Sequence, residues 1–430
     1  VHTDDRPHLL VIAGIGGPSP LLLAPSLSPV ARLTWLYDER DLSKPERDVA
    51  IMAEHGRAVP VRSDSSLLDT AVATHALDPF TGMLTFSESS LRVGATVAEE
   101  LRLPFNSTAT VERLTNKYLQ RIALSDDGVP CPRFHPVRSE TDLDVAARKV
   151  GFPAVLKPVR GGGSALTTKV DSMAELQDAW RAAAKVLGGL DSEDRTHRLL
   201  ADTGHPHMIL EEMLVGQRWH EDARYGDYVS VESIVVDGRV EHLAVTDKLP
   251  LASGFRENGQ IHPSVLPPEL VAEITAMAEA ALWALGVTEG ITHTEIKLTA
   301  GGPRIIEVNG RAAGGLWVTL LRAAGYDVIA EAARAALRLE PVRLPEFTGY
   351  AAMLTPCLDA SLADRDVRVT LDPSFEERDG VHSVHAKHSG TFDLTLGGGH
   401  ALLAYVSGPT PDSIHDHVTA LTSALRVEQQ

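Results

Sequence analysis

Cysteine is almost missing from this chain, with Cys131 and Cys357 the only two in 430 residues. So little thiol excludes a disulfide framework and a Cys-built zinc site, and it fits a reducing, cytoplasmic setting. Basic residues are also in deficit: 40 Lys and Arg stand against 58 Asp and Glu, for a formal net charge of −18. A surface of that sign disfavours a nucleic-acid partner, so local cationic pockets must do any phosphate work. No apolar run approaches the roughly 18 residues needed to span a bilayer, and no membrane partner is expected. The opening VHTDDRPH has neither an initiator Met nor a basic start followed by an apolar core, and it reads as a processed end or one left by cloning. Two nucleotide signatures are absent as well. There is no G-x-x-x-x-G-K-[ST], and GIGGPSP from Gly14 lacks the G-x-G-x-x-G spacing and puts prolines where a helix should begin.

What remains is the composition of a soluble globular protein, 43% hydrophobic and 23% charged, long enough for two or three domains with a cleft between them. His8–Ala13, Leu33–Tyr37 and Gly82–Phe86 read as strands alternating with a helical pattern from Ser65 to His75, so residues 1–112 are expected to form an open α/β layer. A helical stretch from Thr110 to Ser125 carries Lys117. The prolines of VPCPRF break the pattern, and a strand at Pro153–Val159, a helix at Ser172–Val186 and a strand at His207–Leu214 follow. Residues 113–340 are expected to form the nucleotide-binding and catalytic region, with a flap lobe over about 126–210. Residues 341–430, with a second glycine cluster at Gly397–Gly399, are expected to form an α+β part.

The densest signal is HTEIKLTAGGPRIIEVNGRAAGG, His293 to Gly315. Two short apolar strands joined by a Gly-Gly turn place Glu307 and Asn309, two residues apart, on one face, where Glu295 can meet them across the hairpin. Hard oxygen ligands of this kind suit Mg²⁺, which completes its shell with waters and substrate phosphates. Arg311 adds a planar fork for a carboxylate or phosphoryl group beside the metal. A solvated hairpin with ordinary surface charges would show the same residues.

Lys157 lies in the apolar run AVLKPV and is followed by Gly161, Gly162, Gly163 and Ser164. That arrangement lets a cation and bare backbone N–H groups reach one polyphosphate, as in a flap closing over it; a plain hairpin turn is the alternative. At Glu211-Glu212-Met213-Leu214, backbone groups could read an adenine while Met213 and Leu214 pack on its ring, or the segment could be a charged strand end.

Taken in order, Lys117, Lys157-Pro158, Gly161 to Ser164, Glu211-Glu212, Ser230-Val231-Glu232-Ser233, Glu295 and Glu307-Val308-Asn309-Gly310-Arg311 resemble the ATP-grasp superfamily, and most of all its bacterial L-amino-acid ligases, which make dipeptides and peptide-like antibiotics. The resemblance covers nearly the whole chain. It implies an α/β and α+β architecture in three parts: an N-terminal open α/β domain, ATP-binding lobes with a glycine flap, and a C-terminal α+β part. It also implies ATP with two Mg²⁺ ions, Mn²⁺ being able to replace them, and an acyl-phosphate intermediate. On it, Lys117 and Lys157 look like the phosphate-binding lysines, Gly161 to Ser164 like the flap, and Glu211 to Leu214 like the adenine hinge. Glu295, Glu307 and Asn309 look like metal ligands, and Arg311 like the residue holding the substrate carboxylate. Lys157 and Arg311 would also neutralise charge in the phosphoryl transfer. Glu88 and Glu257 are the matching candidates for substrate binding. Apart from the resemblance, Trp317, six positions after Arg311, suits a wall of the substrate pocket and equally suits core packing.

Two departures stand out. Gln260 sits where the family often has a His, with His262 two places on, and the long peptide between Gly216 and Tyr228 leaves the ribose-binding Glu unplaced. The implied reaction joins an amino-acid-like acid to an amine, a second amino acid, in peptide natural-product synthesis by a protein that admits a homodimer. The alternatives are another ATP-grasp reaction, a carboxylase or purine-pathway ligase, or a nucleotide-binding module without turnover.

Overall fold

The computed structural model describes residues 5–189, 200 and 208–430; the expected start of a strand at His207 lies outside them. The N-terminal layer is a parallel sheet ordered Arg57–Pro60, Arg32–Tyr37, His8–Ala13, Gly82–Leu84. After His8, the strand His8–Ala13 is apolar because it is covered on both faces. Leu9 and Val11 enter one core cluster, while Leu10 and Ile12 enter another. A helix, Pro20–Leu27, does begin where the prolines were expected to prevent one. Pro20 is its first residue, a position whose N–H has no helical partner to lose.

The stretch expected as one helix is two, Thr108–Thr115 and Lys117–Asp126. Asn116 causes the break. Its side chain accepts from the Tyr118 and Leu119 N–H groups, satisfying the donors of a new helix start. The break sets Lys117 in a first turn, where its own N–H bonds the Val159 carbonyl of the neighbouring lobe.

That lobe is an antiparallel sheet ordered Phe134–Val137, Met208–Glu212, Ala154–Pro158, Thr168–Val170. The helices Leu143–Val150 and Met173–Gly189 share its apolar core. Facing it is an eight-stranded antiparallel sheet ordered Gly302–Asn309, Gly290–Thr299, Tyr228–Val236, Arg239–Lys248, Gly259–His262, Tyr350–Leu354, Leu403–Gly408, Val381–His385. Three strands from beyond residue 341 therefore extend the same sheet that carries the Glu295–Asn309 hairpin. The helix Pro268–Leu285 packs against this sheet through Ile274, Ala278, Ala281 and Leu282. The N-terminal layer is joined to it by a shared core that includes Trp35, Ile234, Ile291 and Leu316. Among the described residues no helix is long and apolar enough to cross a membrane.

Candidate active site

A cleft of about 410 Å³ lies between the flap lobe and the eight-stranded sheet. Strand register decides what the sheet presents to it. Glu295 pairs with Glu307, and His293 with Asn309; on the other side Glu295 pairs with Ser230, and His293 with Glu232. Directly paired residues point to the same face, so the three expected metal ligands share it. Among the described residues no group of three or more His, Cys, Asp and Glu side chains could hold a metal. The donor set here is two carboxylates and an amide. That chemistry fits a Mg²⁺ whose remaining positions are filled by phosphate and water. Burial acts to raise the Glu295 carboxyl, but the His293 hydrogen bond and charge, with Lys248 and Arg311, outweigh it and hold the group down to about 2.

Both expected lysines reach the cleft. Lys117 Nζ lies 2.9 Å from Glu307 Oε1 and donates to the Gly161 carbonyl at 2.6 Å, linking the metal-side carboxylate to the flap. Lys157 Nζ lies 2.7 Å from Glu211 Oε2. Burial pushes the Lys157 ammonium below its usual range, and the Glu211 carboxylate offsets this only in part. The Glu211 side chain is thus a counter-ion, shared with Arg121 Nε at 2.8 Å, and its backbone lies in a strand paired on both sides. Glu212 also lines the cleft, with its carboxylate paired to Arg133 and Arg304. Met213 and Leu214 line the cleft, and the Met213 N–H is anchored on the Pro153 carbonyl at 3.1 Å.

Gly161 to Ser164 form a loop with positive φ at Gly161, Gly163 and Ser164. The loop is seated. Ser164 Oγ donates to the Phe255 carbonyl at 3.0 Å, and Leu166 N–H to the Thr395 carbonyl at 2.6 Å. A side chain at Gly397, in the second glycine cluster, would run into the Gly163 carbonyl.

On the opposite wall is Arg311, whose Nε lies 3.1 Å from Glu88 Oε2; the two candidates meet, with Glu88 behind the lining of the cleft. Glu257 lines the cleft from the SGFRENG segment. Trp317 does not join them: it packs against the core shared with the N-terminal layer and is not part of the cleft wall, because it lies on the helix Leu316–Ala324 behind the sheet.

Sequence reasoning missed a buried polar array beneath the hairpin. His293 Nδ1 lies 2.9 and 3.0 Å from the Glu232 oxygens, and its Nε2 lies 3.3 Å from Glu295 Oε1. Burial opposes charge on the ring, but carboxylates at both nitrogens push it up to about 9. Glu232, also resisted by burial, is pulled down to about 2 by His293. Ser230 and Thr246 hydroxyls donate to Glu232 Oε1 at 2.8 and 3.1 Å. A signal was present, since His293 and Glu295 alternate on one strand; the pairing of Glu232 with His293 needed the register. Beyond the expected lysines, Lys248 and Lys297 also line the cleft, and Lys297 pairs with Asp227 at 2.6 Å.

Two lobes closing a glycine loop over paired lysines and a carboxylate hairpin is the ATP-grasp arrangement, and residues 150–320 match the model of the ATP-grasp domain. The match assigns an ATP-grasp domain to that stretch of the chain. The chain is similar to alanine–anticapsin ligase of Bacillus subtilis strain 168, at 30% identity over 223 residues, covering 51% of this chain and 46% of that one. Human carnosine synthase 1 is 27% identical over 301 residues, covering 67% of this chain and 34% of that one. The chain thus spans about half or less of the length of these curated relatives. The L-amino acid ligase of Bacillus licheniformis shares the fold over 100% of both chains, with a TM-score of 0.79 at 23% identity. Carboxyaminoimidazole ribonucleotide synthase of Aspergillus clavatus shares it over 97% of this chain and 98% of that one, with a TM-score of 0.70 at 14% identity.

Proposed function

We propose that the protein is an ATP-dependent carboxylate–amine ligase that joins an amino acid to an amine, a second amino acid, with release of ADP and phosphate. The observation that carries this is the arrangement around one cleft: the Arg311–Glu88 pair and the Glu295–Glu307 hairpin on one side, and the cleft-facing Glu257 on another. The named relatives include an alanine–anticapsin ligase and an L-arginine-specific L-amino acid ligase of Bacillus subtilis, which supports amino-acid substrates.

A carboxylate resists attack by an amine because oxide would have to leave. Phosphorylation turns it into a mixed anhydride with a good leaving group, and the protein's part is alignment and charge neutralisation. Mg²⁺, held by Glu295, Glu307 and Asn309, would neutralise phosphate charge. Lys117 and Lys157 meet the phosphates from the lobe side. Arg311 aligns the acid's carboxylate with its fork, while Glu88 fixes the guanidinium and, on this reading, meets the acid's ammonium. Glu257 takes the ammonium of the incoming amine, which gives up a proton to Glu257 or a neighbouring carboxylate and then attacks as the free amine while phosphate leaves. The flap, seated on Phe255 and Thr395, keeps water from the acyl phosphate, which would otherwise hydrolyse.

The reading extends to dipeptide formation in natural-product synthesis. Purified protein with ATP and Mg²⁺ should release ADP in response to particular amino acids, singly and in pairs, with the product identified by mass. ADP release indifferent to every amino acid would reject the proposal, and bicarbonate-dependent release would favour a carboxylase instead.

A further inference from the structure

Lys248 is the most deeply buried lysine of the cleft, at 1% exposure, and no sequence motif pointed to it. Its strand, Arg239–Lys248, lies at the centre of the eight-stranded sheet, and the register pairs Lys248 with Gln260. Nζ donates to Glu257 Oε1 at 3.1 Å and to Gln260 Oε1 at 3.2 Å. The Tyr228 hydroxyl donates to the same Glu257 oxygen at 3.2 Å. The other oxygen, Oε2, receives no hydrogen bond among the described residues, and the Glu257 side chain is 37% exposed on the cleft wall. Gln260 continues the chain. With its oxygen given to the lysine, its amide nitrogen donates to the Gly314 carbonyl at 2.6 Å, three residues beyond Arg311.

Burying an ammonium is costly unless it is paired and hydrogen-bonded, so a lysine sealed in the floor of a cleft marks a geometry the fold holds firmly. Here the result is asymmetric. One Glu257 oxygen is fixed by two donors while the other is left open to the cleft, and the fixing group is tied through Gln260 to the loop that carries Arg311.

We propose that Lys248 is a positioning residue for the amine substrate: it pins Glu257 by Oε1 so that Oε2 receives the substrate's ammonium, and through Gln260 it sets the distance between that subsite and the one at Arg311. The inference rests on the ligase reading and deepens it. It involves no proton transfer through Lys248; the amine is bound and oriented, and the acid is activated elsewhere in the cleft. Lys297, the other lysine flanking the Tyr228 ring, pairs with Asp227 and takes no part in this chain.

The test separates activation of the acid from capture by the amine. The full chain, its Lys248→Met and Lys248→Arg variants and Glu257→Gln are given ATP, Mg²⁺ and the acid substrate. Hydroxylamine then traps the acyl phosphate as a hydroxamate, a reaction that needs no ammonium subsite. In parallel, dipeptide formation is followed against amine concentration. Losing one charge-assisted hydrogen bond to Glu257 should raise the KM for the amine roughly tenfold in Lys248→Met, while hydroxamate formation falls far less. Lys248→Arg should recover part of the loss, and Glu257→Gln should show the same split. The Lys248→Met/Glu257→Gln pair should be no worse than Glu257→Gln alone, because both act on one contact.

An unchanged amine KM in Lys248→Met, or an equal fall in hydroxamate and dipeptide, would overturn the positioning role. Should Lys248→Met fail to fold, Lys248→Arg, which keeps the charge but shifts the donors, decides by the same split. Absence of amino-acid-dependent ADP release from the unaltered protein would overturn the ligase reading itself, a result that no variant enters.

Discussion

Arg311 Nε lies 3.1 Å from Glu88 Oε2 and so joins the loop after the carboxylate hairpin to the N-terminal layer, across 223 positions of sequence. The pair is only partly exposed, and Nη1 is further held by the Ala312 carbonyl at 3.1 Å. Nη2 also lies 3.5 Å from Asn309 Oδ1, so the guanidinium is held at all three nitrogens and pre-aimed, and Lys at the same place would keep the charge without the fork. Arg311→Lys should therefore lower amino-acid-dependent ADP formation by roughly tenfold to a hundredfold, the cost of one lost alignment contact, with ATP affinity nearly unchanged. Steady-state kinetics and nucleotide titration read the two effects apart. A parallel loss of nucleotide affinity would move Arg311 into the nucleotide site.

Glu307→Gln should abolish ligation and leave the fold intact. Glu307 is paired in register with Glu295 and sits 2.9 Å from Lys117, so the substitution removes charge from the metal cradle while the hairpin stays bonded on its backbone. Turnover near the unaltered rate at physiological Mg²⁺ would reject the metal assignment. The circular dichroism spectrum serves as the control for folding.

Lys157→Ala combines two losses. It removes a phosphate contact, and it leaves Glu211, buried in the lobe sheet, with Arg121 as its remaining partner in that ion pair. Removing one member of a buried charge cluster costs on the order of 3 kcal/mol. Chemical denaturation should show that loss together with weaker ATP binding. Unchanged nucleotide affinity and rate would make Lys157 structural alone.

Gly397→Ala probes the seating of the flap. The new methyl group would meet the Gly163 carbonyl, and the residue has a φ of +75°. Gly238→Ala is the matched control, with a φ of +73° and nothing within reach of the added carbon. Both should cost about 1 kcal/mol of stability from the left-handed backbone. Gly397→Ala alone should also leave the flap ajar, so that ADP release outruns dipeptide formation. Equal coupling ratios in the two variants would show that the contact does not govern closure.

His262 gives a pH dependence of known sign. Its Nε2 bonds Thr246 Oγ1 at 2.8 Å, and Thr246 in turn donates to Glu232, so the ring is a neutral donor at Nε2. Its buried Nδ1 has no hydrogen-bond partner among the described residues. Burial lowers the ring to about 4, with Lys248 and His293 adding to the effect against Glu232. The unfolded chain, with an ordinary His near 6.5, then binds more protons than the folded one. The fold should lose stability as pH falls from about 6.5 toward 4, and the penalty is absent above that window. Compared with His262→Gln, the unaltered protein should show the steeper fall in Tm across this range. Parallel curves would contradict the burial of a neutral His262.

The chain alone determined three of the four strands of the N-terminal layer, missing Arg57–Pro60, and it determined the glycine loop and the hairpin bearing Glu295, Glu307 and Asn309, because period-2 alternation and Gly-Gly turns are local properties that a few residues specify. It also determined that Lys157 is unusual, since an ammonium within an apolar strand is visible without any fold. It did not determine the break at Asn116, where a side-chain cap outcompeted continuous helical periodicity, or the helix that Pro20 opens.

The tertiary structure alone decided what depends on register and on distant pairing. Glu232 reaches His293 only because two strands are aligned residue for residue, and Lys248 finds Glu257 and Gln260 only where a third strand meets a fourth. Trp317 looked equally suited to a pocket and to a core, and the helix that carries it turned it inward. The strands beyond residue 341 carried no mark of the sheet they would join. Sheet membership is fixed by backbone hydrogen bonds, which every residue but proline can make, so the choice of partner falls to packing across the whole molecule.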